Sequence, residues 1–195
     1  MRHFVTRFAL VLGLALLTTS ARGLHATTPF AAQPPAKAIS SAGGKGTAYT
    51  AKHIDAVAYV SSDSVAPGGK VSLVLEVTPA KGVHVYAPPQ TDYVPVTLDV
   101  KGPPAVTLGK TVFPASEKFD FKPLNETIQV YMKTFTITQE VTLPAGDELR
   151  KVAAQADGAL TFSGVLGYQA CDDSLCFPPD DMKVSWTVRV KPAAK

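Results

Sequence analysis

The sequence holds two cysteines, one tryptophan and four histidines in 195 residues. It has no Cys-x-x-Cys, which excludes the arrangement that lowers a thiol pKa at a helix start. It has no glycine-rich dinucleotide fingerprint, so it cannot draw electrons from NADPH by itself. Dispersed acids and few histidines leave no Ser-His-Asp set and no paired-carboxylate hydrolase. No basic stripe is interleaved with aromatics, which excludes nucleic acid and an anionic membrane as targets. No window of ten or more residues carries a helical apolar stripe, and no internal repeat is present. Beyond the first 25 residues every apolar run is broken by charge or proline, so none can span a bilayer.

What is present begins with a leader. Basic Arg2 and Arg7 precede an apolar run from Phe8 to Leu17, followed by small and polar residues. That three-part pattern predicts a signal peptide over residues 1–23, with its end between 23 and 26. Ala21-Arg22-Gly23 and Leu24-His25-Ala26 both suit cleavage, and no nearby cysteine offers a lipoprotein anchor. The formal charge of +3 comes from 19 basic and 16 acidic residues. Without Arg2, Arg7 and Arg22 the two signs balance, so the mature chain is expected to be near neutral, soluble and exported. Disulfides persist in such a compartment. Residues 27–50 are rich in Ala, Pro, Gly, Ser and Lys and predict a flexible linker. The folded unit is expected over 53–190, long enough to build a core without a disulfide.

Period-two alternation dominates that unit. It predicts strands at Val71–Val77, Val83–Tyr86, Val96–Val100, Ile128–Ile137, Val152–Ala156, Leu160–Tyr168 and Val184–Val190. Pro67-Gly68-Gly69, Pro88-Pro89, Gly102-Pro103-Pro104 and Pro144-Ala145-Gly146 supply the turns between them. Seven or more short strands so punctuated predict a single all-β domain, an immunoglobulin-like antiparallel sandwich. His84 falls within a strand and is expected to be structural.

Both cysteines lie in Gly167-Tyr168-Gln169-Ala170-Cys171-Asp172-Asp173-Ser174-Leu175-Cys176-Phe177-Pro178-Pro179. Bridging a loop of about six residues removes only about 2 kcal/mol of unfolded-chain entropy, against about 4.7 for a 100-residue loop. A reversible two-electron switch needs two thiols within reach of each other, one to be attacked and one to resolve the mixed disulfide. Asp172 and Asp173 flank Cys171 and disfavour its thiolate, or serve simply as a solvated turn. A local structural brace remains the competing reading. A metal site on the two thiolates with His84 or Met182 lacks ligand spacing, and no metal or other cofactor is expected.

Leu160-Thr161-Phe162-Ser163-Gly164-Val165-Leu166-Gly167-Tyr168-Gln169-Ala170-Cys171, followed by Cys176-Phe177-Pro178-Pro179, resembles the amino-terminal periplasmic domain of the thiol:disulfide interchange protein DsbD. Pro67-Gly68-Gly69-Lys70-Val71 and Lys81-Gly82-Val83-His84-Val85-Tyr86-Ala87-Pro88 resemble that domain's first half. The resemblance implies an immunoglobulin-like fold, a periplasmic location and a redox pair at Cys171 and Cys176, with Cys176 forming the mixed disulfide. It implies electron flow between a membrane-embedded thiol reductase and periplasmic thioredoxin-like or disulfide-isomerase-like proteins, including those serving cytochrome c biogenesis. Nothing like the membrane conduit or a thioredoxin-like module follows in this sequence, so the reductase is expected to be separate and the domain a monomer. A cap loop is implied at Pro114–Pro123, with Phe119 or Phe121 as the lid over the sulfurs. Tyr86, Tyr131 and Tyr168 are expected to support the pair, together with Asp172 and Asp173. The alternative is a secreted binding or assembly module whose disulfide is only a brace.

Overall fold

The computed structural model describes residues 37–41, 44–90, 92–122, 125–155 and 157–191. The predicted signal peptide lies outside them. Strands β1 (Lys37–Ser41), β2 (Gly44–Ala51), β3 (Ile54–Val60), β4 (Ser64–Val65), β5 (Lys70–Pro79), β6 (His84–Tyr86) and β7 (Thr97–Lys101) come first. They are followed by β8 (Thr107–Val112), β9 (Glu117–Phe121), β10 (Glu126–Tyr131) and β11 (Phe135–Thr142). Helix α1 (Asp147–Gln155) precedes β12 (Ala159–Tyr168), β13 (Ala170–Cys171) and β14 (Asp180–Val190).

Two sheets make the immunoglobulin-like sandwich. One has the order β1-β2-β3-β5-β11-β8, the other β4-β14-β12-β7. Pairing is antiparallel throughout, except for the short parallel contact of β4 with β14. The alternation read in the sequence is the alternation of burial. Leu160, Phe162, Leu166 and Tyr168 of β12 point inward, as do Met182, Val184, Trp186 and Val188 of β14. They meet Leu73, Leu75, Val77 and Ile137 of the larger sheet in one apolar cluster. Each such side chain contributes roughly 1.5–3 kcal/mol on burial. The indole N–H of Trp186 donates to the Val74 carbonyl at 2.8 Å and ties the layers together. Gly164 makes room for that indole, since a Cβ there would stand 2.8 Å from the Trp186 ring.

A third sheet, β13-β6-β10-β9, is built from continuations of the core strands. β6 follows β5 through a turn closed by Val83 N–H donating to the Ala80 carbonyl, 3.0 Å. Gly82 takes a φ of 77° in that turn, a conformation natural only to glycine. β13 follows β12 after the single residue Gln169, and β10 leads into β11. Successive residues of a strand face opposite sides. Val85, Tyr131 and Ala170 therefore join the main core, whereas Tyr86, Ile128, Val130 and Cys171 form a separate cluster on the outer face.

Four local expectations are corrected. Residues 37–41 and 44–50, expected within the linker, form β1 and β2, because β3 offers an open edge to β2, β2 in turn pairs with β1, and Tyr49 reaches Ser185 through its hydroxyl. Residues 152–155, expected in a strand, complete α1: Leu149, Val152 and Ala153 recur at helical spacing, and Asp147 and Glu148 favour the helix N-terminus. The single strand expected over Ile128–Ile137 is two strands in different sheets, since the chain bends at Lys133 between the end of β10 at Tyr131 and the start of β11 at Phe135. The cap loop expected at Pro114–Pro123 contains strand β9 paired with β10, so Phe119 and Phe121 sit on a hairpin.

Candidate functional site

The outer face of the third sheet carries the disulfide. Cys171 in β13 stands opposite His84 in β6, and Tyr86 follows two residues along on the same face. Beyond them Tyr86 pairs with Val130, and Ile128 pairs with Phe119. Cys171 is bonded to Cys176. The two cysteines differ in access: Cys171 is 1% exposed, while Cys176 lies on the surface.

The intervening loop is held by its own acid. The Asp172 carboxylate accepts backbone N–H bonds from Ser174 at 2.7 Å and Leu175 at 2.8 Å. Those amides, Leu175 first, hold the carboxyl below the usual carboxylate range. Asp172 N–H donates to the Leu175 carbonyl at 3.0 Å, and Phe177 N–H to the Ala170 carbonyl at 2.9 Å. Asp172 is thus the turn-forming residue, whereas Asp173 is exposed and acts on the site by charge.

Tyr86 touches both sulfurs. Its hydroxyl lies 3.2 Å from Cys171 Sγ and 3.3 Å from Cys176 Sγ. With both sulfurs in the disulfide, the phenol is the only donor of the three. Burial, reinforced by the Glu126 charge, raises its pKa and keeps the proton on the oxygen. Tyr93 stacks on the Tyr86 ring with centroids 4.4 Å apart and donates to the Glu126 carboxylate at 2.5 Å. That hydrogen bond is the main reason the Tyr93 pKa is pushed up to about 12.

Aromatic rings close the cluster from the hairpin side. Phe119 lies 4.6 Å from the His84 ring and 6.5 Å from Phe121. Both phenylalanines are half-buried and pack on the cluster of Tyr86, Ile128, Val130 and Cys171. The other two tyrosines expected at the pair lie elsewhere. Tyr131, expected beneath the pair, stacks on Phe135 at 4.0 Å in the main core and donates to the Pro114 carbonyl at 2.9 Å. Its odd position on β10 turns it to the face opposite Val130. Tyr168 is a strut: its hydroxyl donates to the Lys52 carbonyl at 2.8 Å, and burial raises its pKa. On the exit side of the loop Phe177 stacks on His53 at 3.7 Å.

His84 is the site neighbour that sequence reasoning passed over. The signal was available, because in Val83-His84-Val85-Tyr86 the histidine shares the parity of Tyr86. Among the described residues no group of three or more His, Cys, Asp or Glu is placed to hold a metal ion. No described helix is long and apolar enough to cross a membrane.

The sequence profile of the thiol:disulfide interchange protein DsbD, N-terminal, matches residues 56–187. The N-terminal periplasmic domain of ScsB from Proteus mirabilis is 20% identical, with a TM-score of 0.46 over 71% of this chain. The chain spans about half of that structure's length, 49%. The reduced N-terminal domain of Neisseria meningitidis DsbD is 18% identical, with a TM-score of 0.38 over 60% of this chain and 78% of its own. The same meningococcal domain in complex with the PilB N-terminal domain is 18% identical, with a TM-score of 0.38 over 58% of this chain and 73% of that one. No curated protein matches the chain.

Proposed function

Because this chain belongs to the family of DsbD N-terminal domains, we propose that it is an exported interchange domain that carries electron pairs through a reversible Cys171–Cys176 disulfide. The observation that carries this reading is the asymmetry of the pair: an exposed Cys176 joined to a Cys171 that is 1% exposed. A partner's thiolate attacks Cys176 Sγ and bonds to it. The Cys171–Cys176 bond breaks, and its electron pair leaves on Cys171. A second thiolate of the partner then attacks the partner sulfur of the mixed disulfide and expels Cys176. The partner ends as a disulfide, and the domain holds two electrons and takes up protons on its two sulfurs. Run in reverse, the same steps reduce an oxidised acceptor.

The chain's own residues govern each step. Burial disfavours the Cys171 thiolate, and the Tyr86 hydroxyl at 3.2 Å offsets that cost by donating to the developing charge. Asp172 holds the loop so that Cys176 is presented outward. Asp173 adds negative charge that discourages stray thiolates, and Leu175, 53% exposed beside Cys176, offers apolar contact to a docked partner. Phe119 and Phe121 act as the lid that keeps water and small thiols from the Cys171 side of the bond. The electron source in this reading is a separate membrane-embedded thiol reductase. The acceptors are periplasmic thioredoxin-like or disulfide-isomerase-like proteins, and the folded unit, which takes in β1 and β2 ahead of residue 53, works as a monomer in the periplasm.

Single-cysteine variants test the assignment. Cys171→Ser leaves Cys176 free, and Cys176→Ser leaves Cys171 free. Each is mixed with a thioredoxin-like domain whose attacking cysteine carries a thionitrobenzoate group, and the covalent complex is followed by mass. The Cys171→Ser variant is expected to form it at least about tenfold faster, because its thiol is the accessible one. Equal rates, or no complex from either, would contradict the reading.

A further inference from the structure

Among the described residues two polar side chains are buried, His84 and Gln139. Gln139 is explained by the sheet edge: its amide donates to the Gly109 carbonyl at 2.9 Å and its oxygen accepts from Thr111 at 3.3 Å. His84 makes no comparable contribution to the ladder through its side chain. It is 4% exposed, directly across the antiparallel pair from Cys171, with both side chains on the outer face. Opposed residues in such a pair have Cβ atoms about 4.5–5.5 Å apart. The imidazole is enclosed by Phe119 at 4.6 Å and by the edge of Tyr86 at 5.7 Å.

We propose that His84 is the proton-handling neighbour of the pair, holding the proton that the buried Cys171 sulfur takes up when the disulfide opens and gives up when it closes. The inference rests on the exchange reading above and deepens it. Opening by two electrons leaves an electron pair on each sulfur. Exposed Cys176 takes its proton from water or from the partner. Cys171 has little access to water; as its thiolate develops, the neutral imidazole across the strand pair takes up a proton from solvent or the partner, and the resulting imidazolium neutralises the thiolate or passes the proton to it. In the closing direction the neutral imidazole receives that proton as Cys171 attacks the mixed disulfide.

The charges around the ring are set for both states. On its own strand stands Tyr86, and across from it Cys171, followed by Asp172 and Asp173. Glu117 of β9 lies towards the hairpin end of the face in an ion pair with Lys133. Burial lowers the His84 pKa, while Asp173 and then Asp172 pull it back up. With the pair oxidised and neutral, the imidazole is thus held mainly uncharged at neutral pH. A thiolate at Cys171 shifts that balance toward the imidazolium.

The test begins on the unaltered protein, by following the His84 ring signals in an NMR pH titration of the oxidised and the reduced forms. The expected result is a midpoint higher in the reduced form by about one pH unit. Identical midpoints would overturn the inference whatever the variants do. His84→Gln keeps a polar side chain, and His84→Phe keeps a flat ring against Phe119. In each, the reduced protein is reacted with Ellman's reagent, and release of the second thionitrobenzoate reports attack by Cys171 on the mixed disulfide. The unaltered protein is expected to show an inflection at the His84 midpoint. The variants are expected to lose it and to resolve about tenfold more slowly at pH 7. A folded variant that keeps the inflection would overturn the role. If the unaltered protein releases no second thionitrobenzoate, the exchange reading itself fails and takes this inference with it. Normal exchange with a redox-independent His84 titration sinks this inference alone.

Discussion

At Tyr86 one hydroxyl meets two sulfurs, and the stacked Tyr93 ring fixes where that hydroxyl points. Tyr86→Phe keeps the stack and removes only the donor. A hydrogen bond to a charged group contributes about 1.5–3 kcal/mol, so losing it as the Cys171 thiolate develops is expected to slow reduction by dithiothreitol about tenfold or more. Timed alkylation and mass counting measure that rate, and an unchanged rate in a folded variant would remove Tyr86 from the mechanism. The residues legible in the sequence were those carried by a motif or by proximity: Cys171, Cys176, Asp172 and, through Val83-His84-Val85-Tyr86, Tyr86 itself. Tyr131 was misplaced for a physical reason. Which face of a strand meets the site depends on which strands adjoin it, and the pairing of β6 with both β13 and β10 is not written in either segment.

The element packed beside the disulfide cluster is the β9–β10 hairpin. In Glu117-Lys118-Phe119-Asp120-Phe121 the exposed Lys118 and Asp120 face away while the phenylalanines face the cluster. The family resemblance implied a loop over Pro114–Pro123, although the five residues of β9 already alternate. Phe119→Ala is expected to uncover the Cys171 side of the bond and raise the rate of reduction by dithiothreitol several-fold. It is also expected to cost about 2 kcal/mol of stability, less than for a fully buried ring. Denaturant unfolding and reduction kinetics on the same variant separate the two effects, and an unchanged reduction rate would show that Phe119 only anchors the hairpin. The other misread elements share a cause. α1 spans only nine residues, too few for a ten-residue stripe to register, and the polar sequence of β2 is strand because the β3 edge pairs with it.

On the scale of the whole molecule, the chain keeps stability and chemistry apart. The sandwich core is closed by Phe162, Leu75, Ile137 and Trp186, and the disulfide takes no part in it. The pair sits on the far face of a third sheet, in its own small cluster. The fold class was legible because strong alternation in β5, β12 and β14 reflects a two-layer core. The third sheet was not, since its strands are short continuations of core strands that bend away after a turn or a single residue.

The measurement that bears most directly on the central claim is the reduction potential of Cys171–Cys176 in the purified mature domain. The domain is equilibrated in graded glutathione buffers, and its free thiols are counted by mass after alkylation. A carrier is expected to show a midpoint between roughly −180 and −270 mV, where known exchange proteins operate. A pair still oxidised below about −300 mV would mark the bond as a structural brace and contradict the account.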